Sequence, residues 1–314
     1  GKVTLRYALT KSLNIPTVKV AEKVGYRTVL DLARRAGLTM DAYATPAIAL
    51  GSVGVTPIEM AGAYTMFANH GEWIKPNFLG EIRDQNGTSI FQLTPERRWV
   101  LDPKVAYMMT NLMEDVLQTG TGASVRARGF ALPAAGKTGT SRDAWFAGYT
   151  SKLLCIVWVG FDDYRDIKTE GAQAALPIWT EFMKRAHQHR MYRNVSGFDA
   201  PDGVVSAEID PDSGQLATSG CPNVKTEVFV AGTQPLALCH LHGGGGTQVA
   251  SWDTPETPAA ASTPATSPAP AAPVRSGGSR TVKSIPVEPT SPPAPPAQPK
   301  QRGIMDRIRG IFGK

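Results

Sequence analysis

Apolar residues recur at helical spacing through the first 120 positions, and the punctuation between them is clear. In TLRYALTKSL, Leu5, Ala8, Leu9 and Leu13 share one face, and Thr4 stands where an N-cap belongs. Pro16 disfavours helical geometry at Ile15 and suits the first turn of a second helix, PTVKVAEKVG. RTVLDLARRAGL predicts a third helix that stops at Gly37. TPIEMAGAYTMFANHG carries a capping box (Thr56, Glu59), Pro57 at the first helical position and Gly71 at the end. DPKVAYMMTNLMEDVLQTG repeats the arrangement with Asp102, Pro103 and Gly120.

Between the last two helices, GEWIKPNFLGEIRDQNGTSIFQ predicts short strands around an Asn86-Gly87 turn. After Gly136 the period changes to that of strands. DAWFAGYT and KLLCIVWVGFD are separated by a short turn and should pair antiparallel, with Trp145, Phe146, Tyr149 and Trp158 alternating as sheet and core packing require. ALPIWTEFMKRAHQ is a final helix able to cover that sheet. The fold class predicted is α+β, an antiparallel β-sheet flanked by helices.

Composition divides the 314 residues unevenly. The chain reads as globular to about His242, and a Pro/Ala/Ser/Thr tract follows from Thr254 to about Pro299 that cannot bury enough apolar surface to order itself. Residues 246–314 hold eight Lys/Arg against four Asp/Glu, a net of +4, which leaves +2 of the formal +6 for the globular part. That balance gives no basic face and argues against a nucleic-acid partner. The longest apolar run, Leu153 to Phe161, is strand-sized, not membrane-spanning. The chain starts at Gly1 and is expected to be the C-terminal part of a longer protein. QRGIMDRIRGIFGK at its end sets Ile304, Ile308, Ile311 and Phe312 against Arg302, Arg307, Arg309 and Lys314, either a surface-seeking amphipathic tail or a solvated end.

Two short stretches carry candidate chemistry. Lys137, Thr138, Gly139 and Thr140 open a strand, where a mid-strand Gly weakens pairing unless something must approach the backbone. They read as a strand edge offering a cation and two hydroxyls to a ligand, or as a solvated strand end. Ser12, Leu13 and Asn14 sit at a helix junction, where Ser and Asn also serve simply as caps.

Together the two stretches resemble the second and third motifs, Ser-x-Asn and Lys-Thr-Gly, of the transpeptidase domain of class A penicillin-binding proteins, the bifunctional peptidoglycan synthases. ALTKSLNIPTVKVA, GSVGVTPIEMAGAYTMFANHGEWIKP and the run from DVLQTGTG to VWVGFDD carry the likeness, over about residues 1–190. The resemblance implies the penicillin-binding and serine β-lactamase-like fold, incomplete at the N-terminus. No Ser here has a Lys three residues on, so the first motif, which supplies the nucleophile, is expected upstream. By resemblance, Ser12 relays a proton to the leaving D-Ala and Asn14 holds the peptide amide. Lys137 bonds toward Ser12, and Thr138 and Thr140 hold the substrate carboxylate. The Thr140 N–H serves the oxyanion hole, and Gly139 lets the D-Ala-D-Ala stem peptide lie along the strand. The resemblance implies β-lactams as inhibitors, no cofactor, an upstream glycosyltransferase domain, and an extracytoplasmic location with an anchor in the cytoplasmic membrane outside this chain. Alternatives are a D,D-carboxypeptidase, a monofunctional transpeptidase, or a non-catalytic muropeptide-binding scaffold.

The expected organisation is a transpeptidase portion (1–190), a small Cys-containing β/loop-rich extension (191–245), a disordered linker (246–300) and the basic tail (301–314). Cys155 reads as a small buried hydrophobe. For Cys221 and Cys239 a disulfide is favoured outside the cytoplasm. A metal site with His240 and His242 of CHLH is the sharper alternative, although the spacing is irregular and no metal is assigned.

Overall fold

Thr4 accepts the Tyr7 N–H at 3.1 Å and starts α1 (Leu5–Thr10), as its position suggests. The computed structural model describes residues 1–242; the linker and tail expected beyond lie outside the described residues. Helix α2 spans Asn14–Val24, two residues longer at its start than Pro16 implies, so Ile15 is helical after all. A proline in the first turn removes an N–H that has no intrahelical partner there, and the steric bias on its predecessor gives way. Helix α3 (Tyr26–Arg35) follows, then a 3₁₀ turn at Pro46–Leu50 and α4 (Pro57–Ala68), whose Thr56–Glu59 capping box is fully formed. Glu59 holds the Thr56 backbone and hydroxyl at 2.8 and 2.7 Å, and these bonds keep its carboxyl at about 2.

Two short antiparallel pairs come next. β1 (Glu72–Ile74) pairs with β4 (Arg97–Trp99), and β2 (Glu81–Arg83) with β3 (Ser89–Gln92) around the expected turn, where Gly87 has φ 81°. Helix α5 (Pro103–Gln118) starts at its Asp102 cap and leads through α6 (Ser124–Ala127) into the main sheet. There β5 (Ala135–Thr140), β6 (Ala144–Tyr149) and β7 (Leu154–Val159) form an antiparallel meander in the order β5-β6-β7.

Helix α7 (Ala175–Ala186) covers this sheet. Its Trp179 is completely buried, meets Phe146 and Phe130 edge-on at 5.0 and 5.3 Å, and donates its indole N–H to Gly148 O at 3.2 Å. Leu117, Val125, Leu176 and Met183 complete that core. On the α5 side Tyr149, equally buried, bonds the Thr110 hydroxyl at 2.7 Å. Phe146 and Tyr149 are both fully buried, on opposite faces of β6, whereas Trp145 and its cross-strand partner Trp158 share the Tyr149 face nearer the strand end and are less buried. Both of their indoles donate to Asp143, at 3.0 and 2.8 Å, which satisfies each N–H. Cys155 is only half-buried, against the edge of the core.

A second sheet, β8 (Val204–Asp210), β9 (Gln215–Leu216) and β10 (Lys225–Val230), has the order β10-β8-β9. It is held to the helices by Arg6, which is buried beneath it. Arg6 forms a two-pronged ion pair with Glu227 of β10 and bonds Asp115 and Asn111 of α5 at 3.1 and 2.6 Å. No described helix is long and apolar enough to cross a membrane.

Candidate active site

The α1–α2 junction places Ser12. Helix α1 ends with Ser12 N–H bonded to Leu9 O (3.1 Å) and Leu13 N–H to Ala8 O (2.8 Å), the two bonds of a Schellman end. That end needs a left-handed residue, usually glycine, and here Ser12 takes it with φ 55°. A serine there costs about 1 kcal/mol or more. What the residue gains is an exposed hydroxyl held in one direction.

That hydroxyl meets the β5 strand. Lys137 Nζ donates to Ser12 Oγ at 2.8 Å and to Thr138 O at 2.9 Å, joining residues 125 apart in sequence. Burial pushes the Lys137 ammonium down to about 8, and among the described residues no carboxylate forms an ion pair with it. It is therefore a partly desolvated cation with no internal counter-charge, suited to an incoming anion. β5 is the outer strand of its sheet, so alternate N–H and C=O groups face outward beside it.

The hydroxyls divide. Thr138 is buried and bonds the Thr121 hydroxyl at 2.6 Å, while Thr140 is exposed and accepts the Gly171 N–H at 3.0 Å, leaving its own O–H free to donate. Gly139 has a packing reason as well: a Cβ there would come within 3.0 Å of Trp145 Cβ on β6. Asn14 is exposed at the first position of α2, and among the described residues it makes no hydrogen bond to β5. Thr121 is the residue that sequence reasoning missed. It lies between two glycines after α5, and the first, Gly120, is read from sequence only as a helix stop. In the structure a Cβ at Gly120 would sit 2.4 Å from Thr10 O, and the Thr121 N–H bonds that same carbonyl at 3.2 Å. The glycines thus let this loop press against the end of α1 and face β5.

Residues 1–183 match the family described as penicillin binding protein transpeptidase domain. The chain belongs to that family. Residues 200–244 match the penicillin-binding protein 1A C-terminal domain. Among relatives, penicillin-binding protein 1A of Aquifex aeolicus is 37% identical over 245 residues, 76% of this chain and 33% of that protein. Penicillin-binding protein 2D of Bacillus subtilis is 35% identical over 76% of this chain and 35% of its own length. The chain thus spans about a third of the length of these relatives. The crystal structure of penicillin-binding protein 1A from Haemophilus influenzae superposes with a TM-score of 0.69 at 26% identity, covering 76% of this chain and 41% of that one. PonA1 of Mycobacterium tuberculosis, solved in complex with penicillin V, gives 0.53 at 25% identity, over 63% of this chain and 58% of its own. These likenesses agree with the α+β class and with an antiparallel sheet packed by helices.

The extension departs from expectation at its cysteines. Cys221 and Cys239 are not joined; both are free thiols, gathered with Asp210 and His242. His240 stays outside the group, exposed and bonded to Gln215 at 2.6 Å.

Proposed function

We propose that this chain carries the second and third motifs of a penicillin-binding serine D,D-transpeptidase that cross-links peptidoglycan stem peptides. The carrying observation is the 2.8 Å bond from Lys137 Nζ to Ser12 Oγ, which unites the two motifs in a chain of this family. In the proposed reaction, a serine from a Ser-x-x-Lys motif outside this chain attacks the penultimate D-Ala carbonyl. A C–O bond forms, the C–N bond to the terminal D-Ala breaks, and a proton passed through Ser12 leaves with the amine. The amine of a second stem peptide then attacks the ester, forming a new amide and returning the proton and the serine.

Each residue has a task in that sequence. Lys137 attracts the substrate carboxylate and polarises the Ser12 hydroxyl. Thr140 donates its O–H to that carboxylate, and its backbone N–H stabilises the oxyanion. The Thr138–Thr121 pair uses one proton between its two oxygens, so it retains one O–H for the same anion. Gly139 keeps the strand edge low where the peptide lies, and Asn14 holds the peptide amide. The complete protein would act on the outer face of the cytoplasmic membrane, with a glycosyltransferase domain and an anchor outside this chain.

The test is covalent labelling of the complete protein with a fluorescent penicillin, with the adduct mapped by mass spectrometry. An adduct on a serine outside this chain is expected, formed about 10²–10³-fold more slowly in Lys137→Ala. Undiminished labelling of a folded Lys137→Ala variant would sink the assignment. No adduct on folded wild-type protein would favour a non-catalytic muropeptide-binding scaffold.

A further inference from the structure

Residues 200–242 have too little core to account for their order. Among the described residues of this stretch, only Ile209 and Cys239 are buried apolar side chains. Beyond its Arg6 link to the helices, a segment this small with so little burial is of the kind that a disulfide or a metal commonly staples. At its centre is a fully buried carboxylate, Asp210 at the end of β8, whose Oδ1 has no hydrogen-bond partner among the described residues. A buried anion calls for a cation beside it.

Three further donors converge on that carboxylate. Cys239 Sγ lies 3.1 Å from Asp210 Oδ2 and 3.5 Å from His242 Nδ1, and His242 Nδ1 lies 3.3 Å from Asp210 Oδ2. Cys221 Sγ completes the group, with all four donor atoms within 4.8 Å of one another. Ligand atoms around a tetrahedral Zn²⁺ stand roughly 3.3–3.8 Å apart, as follows from bond lengths of about 2.0–2.3 Å. The 3.5 and 3.3 Å separations are of that size, and the 3.1 Å one is slightly shorter. Supporting bonds are also present: Thr218 N–H to Cys221 Sγ at 3.2 Å and Ser213 N–H to Asp210 Oδ2 at 3.0 Å, which fix the ligands from behind.

The geometry points to a structural zinc site formed by Asp210, Cys221, Cys239 and His242. The two thiols each release a proton to solvent as their sulfurs bind, so Asp⁻, two thiolates, neutral His and Zn²⁺ leave one net negative charge. Two thiolates select zinc over magnesium or calcium, and four protein donors leave no open position, so the site is structural, not catalytic. The ion ties β8 to the loop after β9 and to the segment beyond β10. A Cys221–Cys239 disulfide would staple the same loop but leave the buried carboxylate without a metal counter-charge.

The test uses the 314-residue chain exported to an oxidising compartment of zinc-replete cells and purified without chelator. About one zinc per chain is expected by elemental mass spectrometry, with both thiols alkylated only after the metal is removed. Cobalt exchange should give the intense visible bands of a tetrahedral, thiolate-ligated ion. Zinc content should fall at least tenfold in Cys239→Ser and in Asp210→Asn, and stay unchanged in His240→Ala. The cobalt spectrum of the unmodified chain reads the site even where a variant fails to fold. A zinc-free chain, whether its thiols are joined or free, overturns the site; so does zinc retained undiminished in Asp210→Asn.

Discussion

Replacing Ser12 by glycine and by alanine separates the two demands placed on that residue. Both changes remove the hydroxyl that accepts from Lys137, and neither disturbs a buried contact, because Ser12 is exposed. They differ only in backbone. With φ at 55°, a Cβ costs about 1–2 kcal/mol that glycine escapes. Against this, glycine loses about 0.5–1 kcal/mol more conformational freedom on folding. Ser12→Gly should therefore be more stable than Ser12→Ala by about 0.5–1 kcal/mol, or about 1–4 °C in thermal midpoint for a chain of this size. Thermal and urea unfolding of the 314-residue chain measures the difference. Penicillin labelling of the complete protein should fall to a similar degree in both variants, so the more stable one gains no activity. If alanine proves at least as stable as glycine, Ser12 is not held in the left-handed region, and the argument that the site bears strain to fix a hydroxyl fails. If Ser12→Gly labels normally, the hydroxyl has no part in acylation.

Three other outcomes follow from the same structure. Lys137, with its folded value lowered to about 8, carries its full desolvation cost below that pH and loses it as pH rises toward its ordinary range. Lys137→Met should thus exceed wild type in urea midpoint at pH 7 by a margin that shrinks through pH 8 to 10, and a constant margin would contradict the burial argument. Arg6→Met takes the two-pronged partner from Glu227 and leaves Asp115 paired with the exposed Lys225 at 3.5 Å; it should cost about 2–3 kcal/mol, less than a fully buried pair because both carboxylates are partly exposed. Faster hydrogen exchange confined to β8 and β10 would report it. Thr56→Ala removes one half of the capping box and should cost about 1 kcal/mol in chemical denaturation, with Ser at that position restoring most of it.

What could be read from the chain without its structure depended on how local the cause was. The caps at Thr4, Thr56 and Asp102 act over three residues, so their side chains announced the helix starts directly. The β5–β6–β7 meander was equally legible, because tight turns leave one simple pairing, and Phe146 and Tyr149, on opposite faces of β6, mark a strand buried on both sides. Pro16 misled because the bias it puts on Ile15 is small beside the helical bonds α2 gains by starting at Asn14. The Lys137–Ser12 bond was not a matter of spacing at all. The two residues were suspect for being the wrong types for a plain strand and a plain junction, and only the fold brought them within 2.8 Å.

The extension shows where residue type and spacing both run out. CHLH offers two histidines to the same cysteine, and nothing in the motif says which one turns inward. The chain after Cys239 decides it: His240 leaves to bond Gln215, and His242 comes back to Cys239 and Asp210. Asp210 itself carried no signal, since an aspartate at the end of a strand ordinarily begins a turn, and this one does bond Ser213 in doing so. Its complete burial is what sets it apart, and burial in so small a sheet is decided by the cluster it belongs to. The same reasoning separates the two sites by function. At Lys137 a cation has no counter-charge among the described residues and sits at an accessible strand edge, which favours an anion that comes and goes. At Asp210 a buried anion is gathered with two thiols and an imidazole, which favours a cation that stays.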